Sequence, residues 1–256
     1  MPNILSGVNP LTRVYLMLAL TLPLFLSVDW VSAAVSLVIT FVFAPLCGVS
    51  WGKLIRSGWF LFILAALSGV SMLLYGAEGG EVYFRLWLIV VSENSVRLSV
   101  AMMLRVLAVA LPMIVLARDI DSTRLGDALA QNLRLSSRFV IGAVAGVRMA
   151  TLFRDDWDSM ARARRARGLG DRGKVKHLLT MSFGLLVVAL RRGGKLATAM
   201  EARGFGRTPL YSPSRTWARE SRVSRKDWLI MLAGSLLAAV PVVASVVTDS
   251  WRFFGL

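Results

Sequence analysis

Five long apolar stretches constrain this chain more than any other feature of its sequence. They cover residues 11–28, 30–51, 57–77, 98–117 and 228–247, and three of them carry no charged residue. Each has about the 20 residues that an α-helix needs to cross a hydrocarbon layer roughly 30 Å thick. The sequence therefore predicts an all-α membrane protein with about five transmembrane helices.

The composition supports this class, because 56% of the 256 residues are hydrophobic and the mean hydropathy is +0.63. One water-soluble core cannot bury that much apolar surface, so part of the chain requires a bilayer as its solvent. The net charge is nevertheless +15. Residues 118–226 contain 23 of the 30 Lys and Arg but 9 of the 15 Asp and Glu, which leaves this block with +14.

The sequence thus predicts three parts. Residues 1–117 form a four-span transmembrane region, residues 118–226 form a basic cytoplasmic domain, and residues 227–256 form the last span with a short outer C-terminus. Because Lys and Arg favour the cytoplasmic side, Lys53 and Arg56 in the second loop predict that the N-terminus lies inside and the C-terminus outside. The segment 82–91 is apolar but too short to span, so we expect an interfacial or re-entrant piece.

Residue counts exclude several kinds of chemistry. The sequence has one cysteine, Cys47, and one histidine, His177, which makes a zinc site or a Ser–His–Asp triad improbable. It also lacks the glycine-rich phosphate loop of nucleotide hydrolases. We therefore predict no catalytic residues, no metal site and no directly bound cofactor. The basic block carries no nucleic-acid-binding motif, and basic residues beside membrane spans are expected from topology alone, so we predict no nucleic-acid partner.

The basic block has the pattern of folded helices. The run Asp121-Ser122-Thr123 offers side chains that can cap a short helix, and Ser136 or Ser137 could cap a second helix that runs to Arg167. A third helix is predicted from about 174 to 203. Its apolar stretch, residues 178–190, is too short to span a bilayer, which favours an interaction surface.

The two long helices end in the same motif. Residues 161–170 and 197–206, shifted by 36 positions, both read A-x-A-x-x-A-R-G-Φ-G, where Φ is a large apolar residue. A glycine just past a helix can adopt the left-handed conformation that closes the last turn. An arginine one residue earlier presents a planar fork that suits a carboxylate on another protein. The pair of motifs predicts two helix tips that insert into grooves of a partner.

With these motifs, the chain resembles the transmembrane T component of energy-coupling factor transporters, the CbiQ-like family. The run 185–206, which contains Arg191-Arg192 and Ala199-Met200-Glu201-Ala202-Arg203-Gly204-Phe205, is particularly similar. The resemblance implies that a membrane-embedded S component binds the substrate, a vitamin or a transition-metal ion. It also implies that two cytoplasmic ABC-type ATPases use ATP, and that the basic block is the coupling domain between them and the S component.

The resemblance also assigns roles to residues. The ATPase contacts would be Ala166, Arg167 and Gly168 at the first tip and Ala202, Arg203 and Gly204 at the second. The apolar stretch of the third helix would contact the S component through Leu178, Met181, Leu185 and Leu186.

Four further expectations concern single positions. Arg105 inside the fourth apolar stretch is an intramembrane charge, which is often functional; the structural alternative is that it snorkels and bonds a backbone carbonyl freed by Pro112. Gly142 and Gly146 are spaced for a close helix crossing. The acidic residues Asp155, Asp156 and Asp158 are expected to pair with arginines of their own helix. The basic residues Arg215, Arg219, Arg222, Arg225 and Lys226 are expected to attract anionic lipid.

Overall fold

The structure is a computed structural model that describes residues 4–26, 29–76, 79–86, 89–169, 173–205, 217 and 219–250. Helices dominate this part of the chain. In order, the elements are α1 (Pro10–Leu26), α2 (Trp30–Phe43), α3 (Trp51–Ser57), α4 (Trp59–Tyr75), β1 (Val82–Leu86), β2 (Ile89–Ser92), α5 (Glu93–Ala117), α6 (Ser122–Asn132), α7 (Ser137–Ala166), α8 (Lys174–Ala202) and α9 (Arg225–Val247).

The expected class, an all-α membrane protein, is confirmed. Within the described residues, α5 and α9 are each long and apolar enough to cross a membrane. Together, α3 and α4 form a third candidate span that is bent by 60°. The remaining apolar helices, α1 and α2, are shorter, with 17 and 14 residues. The described helices therefore include two long spans and one bent candidate, fewer than the five full-length spans that the sequence predicts.

The second apolar stretch is not a single helix. It was expected over residues 30–51, but α2 ends at Phe43 and a turn follows. Pro45 has no N–H to continue the helix, and Gly48 adopts a φ of +79°, which belongs to the left-handed region. The chain then re-enters helix at Trp51. Apolar composition alone did not predict this break.

The segment expected to be an interfacial or re-entrant piece contains two strands, Val82–Leu86 and Ile89–Ser92. The strands β1 and β2 pair antiparallel, with Leu86 opposite Ile89 and an irregularity between Val82 and Phe84. A β-hairpin was not predicted here, because the short apolar run shows neither strand alternation nor a turn signal of its own.

The chain divides into two compact units. The first, here called the membrane unit, comprises residues 1–120 and 223–256; the second, the basic unit, comprises residues 121–222. Within the membrane unit, α5 packs against α1, α2 and α4, and α9 packs against α1 and α2. The helices approach closely at glycines: a Cβ on Gly69 would meet Met103, and one on Gly234 would meet Leu16.

A buried carboxylate, Asp227, connects the N-terminal ends of α1 and α9. Asp227 is 2% exposed and closes a capping box with Ser224 at the start of α9. The same side chain accepts a hydrogen bond from the Asn9 backbone N–H at 2.8 Å, beside the first turn of α1. The Thr12 hydroxyl lies 3.4 Å from it. One side chain therefore satisfies donors at the N-termini of both helices.

Arg105 has the structural role that was expected, but with a different partner. Its side chain is 9% exposed, and its guanidinium donates to the Leu24 carbonyl in the last turn of α1. The carbonyl groups in the last turn of a helix accept no hydrogen bond from their own helix. The predicted bond near Pro112 was wrong, because the neighbouring helix end offers a free carbonyl.

The basic unit contains α6, α7 and α8. As expected, Asp121 caps α6 by accepting from the Thr123 N–H at 3.0 Å. The helix α7 begins after Ser136, whose hydroxyl makes no cap hydrogen bond. The predicted crossing at Gly142 and Gly146 was wrong: a Cβ at either position would meet nothing within 4 Å. The glycine that allows close packing on α7 lies on α6 instead.

That glycine is Gly126. A Cβ added there would lie 2.4 Å from the Val144 side chain of α7. Thus α6 lies against the first half of α7, and the second half of α7 extends toward its C-terminal motif.

Candidate functional site

The first helix tip is a complete C-terminal cap. The helix α7 ends at Ala166, and Gly168 has a φ of +67°. The Leu169 N–H bonds the Arg164 carbonyl at 3.1 Å, and the Gly168 N–H bonds the Arg165 carbonyl at 3.0 Å. These two bonds define the Schellman motif, which satisfies carbonyls that the helix leaves unpaired.

The second tip repeats the same geometry. The helix α8 ends at Ala202, and Gly204 has a φ of +80°. The Phe205 N–H bonds the Met200 carbonyl and the Gly204 N–H bonds the Glu201 carbonyl, both at 2.9 Å. The prediction that glycine closes both helices is confirmed. The last glycines of the two motifs, Gly170 and Gly206, lie outside the described residues.

Both tips present an arginine at the end of the helix. Arg167 and Arg203 are the C-cap residues, and both side chains are exposed. Among the described residues, a Cβ at Gly168 or Gly204 would meet no atom within 4 Å. The negative end of the helix dipole favours a cation at this position. The arrangement gives two exposed helix ends with the same cap geometry and an arginine at each.

A cross-helix ion pair joins the two helices. Arg192 of α8 donates to Oδ1 of Asp156 on α7 at 3.1 Å, and its second terminal nitrogen lies 2.9 Å from Oδ2. The expected intrahelical pairing was therefore wrong for Asp156. Both residues lie eleven positions before the arginine of their own tip, so they are equivalent under the 36-residue shift. Nearby, Gly184 allows Met160 to approach α8.

We expect this pair to hold the two tip-bearing helices together. Asp156→Ala should accelerate proteolytic cleavage within the basic unit about 5- to 30-fold, because a partly buried charge-assisted pair contributes about 1–2 kcal/mol. Arg192→Ala should act similarly, and the exchanged pair Asp156→Arg with Arg192→Asp should recover part of the loss. The matched control is Asp155→Ala, an exposed position on the same helix. Identical cleavage rates for all four chains would contradict a joining role.

The apolar stretch of α8 forms an exposed surface. Leu178, Leu179, Phe183, Leu186 and Leu190 are between 53% and 68% exposed. Of the residues expected to contact a partner, Leu178 and Leu186 lie on this surface and Leu185 is half-buried. Met181 is 1% exposed and therefore does not belong to it. The helical period places Met181 on the face turned toward its own unit, which the sequence alone did not distinguish because apolar residues surround much of α8.

The comparisons with known proteins agree with these features. The sequence profile of the CbiQ family, described as cobalt transport protein, matches residues 1–212. The chain belongs to the CbiQ family. As a member it is a membrane protein of the transport class, a transmembrane component of an energy-coupling factor transporter.

Three curated relatives of this CbiQ-family chain carry the name energy-coupling factor transporter transmembrane protein EcfT. The protein from Lactococcus lactis subsp. cremoris is 22% identical over 96% of this chain and 95% of its own length. The one from Brevibacillus brevis is 24% identical over 98% and 94%. The one from Limosilactobacillus fermentum is 26% identical over 66% and 64%.

In this CbiQ-family chain, two contacts that join helices were not predicted from the sequence: the ion pair of Asp156 with Arg192 and the hydrogen bonds of Asp227 to α1. The one sequence signal for the ion pair was the 36-residue shift, under which Asp156 and Arg192 are equivalent. Among the described residues, no group of three or more His, Cys, Asp or Glu is placed to hold a metal ion.

Proposed function

We propose that this chain is the scaffold subunit of an ATP-driven micronutrient importer. It couples ATP hydrolysis by two cytoplasmic ABC-type ATPases to the movement of a membrane-embedded, substrate-binding S component. The cargo is a vitamin or a transition-metal ion, carried by the S component. The chain itself is non-catalytic and binds no cofactor directly, since ATP is used by the partner subunits.

The observation that carries this proposal is the pair of equivalent helix tips. Ala166, Arg167 and Gly168 contact one ATPase, and Ala202, Arg203 and Gly204 contact the other. Two ATPases present two similar grooves, and two tips with the same cap geometry are suited to them. A guanidinium that enters such a groove forms a forked pair with a carboxylate, which gives the contact orientation as well as affinity.

The exposed surface of α8 supports the S-component contact. Leu178, Leu186 and the half-buried Leu185 provide apolar area, which makes no directional hydrogen bonds to a partner. A partner can slide or rotate over such a surface more readily than over one fixed by directional hydrogen bonds. We assign the S component to this face, with Met181 supporting it from behind.

The topology completes the proposal. The N-terminus and the basic unit face the cytoplasm, where the ATPases are, and the C-terminus faces outward. The excess of Lys and Arg in the basic block favours this orientation.

Affinity capture of the tagged chain from mild detergent tests the proposal. We expect two ABC-type ATPase copies and one small, very hydrophobic protein to be retained together. The control is an unrelated multi-span membrane protein with the same tag and detergent. If ATPases stay absent after ATP addition and mild cross-linking, the tips do not dock on ATPases and the proposal fails.

A further inference from the structure

An apolar cavity of about 220 Å³ lies inside the membrane unit, between α1, α2, α5 and α9. Its walls include Leu16, Leu20, Ile39, Val115, Ala233 and Leu237. The hydroxyl of the lining residue Thr40 is already bonded to the Ser36 carbonyl at 2.8 Å. Water needs two or more polar partners to occupy a cavity, and apolar cavities of this order stay dry and accept hydrocarbon. The walls therefore select a hydrocarbon occupant.

Two cationic side chains bond backbone carbonyls of the residues that directly follow Leu5 and Cys47 in the cavity wall. The Lys226 ammonium donates to the Ser6 carbonyl at 3.0 Å, and the Arg118 guanidinium lies 3.4 Å from the Gly48 carbonyl. A backbone hydrogen bond of 3.1 Å joins the two segments that carry these carbonyls, and residues of both segments line the cavity. Both cationic side chains are exposed, so their free donors face outside the protein at the cavity's rim.

A third cation, Arg13, lies behind them. It is 9% exposed and donates to the carbonyls of Leu5 and Arg118, both at 2.6 Å. Its Nε has no hydrogen-bond partner among the described residues. Its two hydrogen bonds hold the backbone of Leu5, in the cavity wall, and that of Arg118 close together.

An exposed carboxylate faces the same cluster, since Asp119 lies 3.6 Å from the Arg118 Nε. The cations of the cluster outnumber this carboxylate, so an excess of positive charge remains. A phosphodiester headgroup with one negative charge matches this excess.

We propose that the cavity and its cationic rim bind one anionic phospholipid. One acyl chain fills the space between α1, α2, α5 and α9, and the phosphate contacts Arg118 and Lys226. The membrane supplies this ligand directly, since α9 also exposes Leu229, Leu232 and Leu236 on its outer side. The inference does not depend on the partners of the basic unit.

Native mass spectrometry of the full-length chain extracted from membranes rich in phosphatidylglycerol tests the headgroup. We expect retention of one phosphatidylglycerol over phosphatidylethanolamine. Arg118→Glu with Lys226→Glu should weaken retention by about 30-fold, at about fivefold for each basic residue near a membrane surface. The control, Arg56→Glu, changes an exposed charge on α3, a helix that contributes no residue to the cavity wall. Equal retention of both lipids would overturn the proposal.

The cysteine tests the acyl chain independently of the headgroup. Cys47 is the one cysteine of the sequence and lines the cavity. In vesicles, its alkylation by a small apolar maleimide should be several-fold slower with 30% phosphatidylglycerol than with phosphatidylcholine alone. Ala233→Phe should fill the cavity and abolish this lipid dependence, whereas Ala239→Phe, exposed on the same helix, should retain it. Alkylation rates that are insensitive to lipid in the unmodified chain, or slowed only by a co-expressed protein, would overturn the proposal.

Discussion

Reversing both tip arginines, Arg167→Glu with Arg203→Glu, is expected to abolish ATP-dependent uptake while the chain still inserts into the membrane. Each arginine is exposed at a helix C-cap and is proposed to enter an ATPase groove. Loss of one partner of a desolvated charge pair costs about 2–5 kcal/mol, and a reversed charge adds repulsion. Two such losses correspond to at least about a 10³-fold weaker ATPase contact.

Uptake of labelled substrate by cells that express the whole transporter measures this effect. The matched control is Arg154→Glu with Arg191→Glu, which makes the same charge change at exposed positions about 18–20 Å from the tips along the same helices. We expect the control to retain most of its uptake. Replacing both tip arginines with lysine should give an intermediate rate, because the charge remains but the forked geometry is lost. Normal uptake by the double Glu variant would refute the assignment of the tips.

The second large effect is expected at Asp227. Asp227→Ala removes the acceptor shared by Asn9, Ser224 and Thr12, all at the starts of α1 and α9. Buried donors without an acceptor cost about 1–3 kcal/mol each, and the loss of a cap adds about 1 kcal/mol. We expect a loss of about 3–5 kcal/mol, seen as a fall of roughly 10 °C or more in the unfolding temperature of the detergent-solubilised chain.

Two comparisons separate this effect from a general loss of charge. Asp227→Asn keeps one acceptor oxygen in place and should lose about half as much. Glu220→Ala, at a residue whose ion pair with Arg222 is 67% and 84% exposed, should change stability by less than about 1 kcal/mol. An unfolding temperature for Asp227→Ala within 2 °C of the unmodified chain, a margin below roughly 1 kcal/mol, would show that this carboxylate does not join the helices.

Local features of the two tips could be predicted from the sequence. A glycine after a helix closes the last turn through bonds that span five residues, so the 36-residue shift was sufficient to predict both caps. The bounds of α7 and α8 agree with the predicted ones to within about one residue for the same reason, since each helix is terminated by residues of its own segment. The apolar stretches likewise predicted the membrane class because bilayer thickness sets their length.

Contacts between distant segments could not be predicted in this way. Asp227 and Asn9 are 218 residues apart, and nothing near either residue indicates the other. The glycine pair Gly142 and Gly146 was a plausible crossing by spacing, yet the close approach on α7 uses Gly126. Helix spacing shows which faces can pack closely, whereas the choice among such faces depends on the whole packing arrangement.

The ion pair between Asp156 and Arg192 joins α7 and α8 at the same distance from the two tips. Each residue is eleven positions, or about 16 Å of helix, from the arginine at its own tip. The two arms are therefore equal in length, and a 10° change in the angle between the helices at this contact would change the distance between the two tips by roughly 3 Å. Under the proposed function, closure of the ATPases would move both tips by equal amounts. The parts of α7 and α8 that precede the ion pair would then move in the opposite sense.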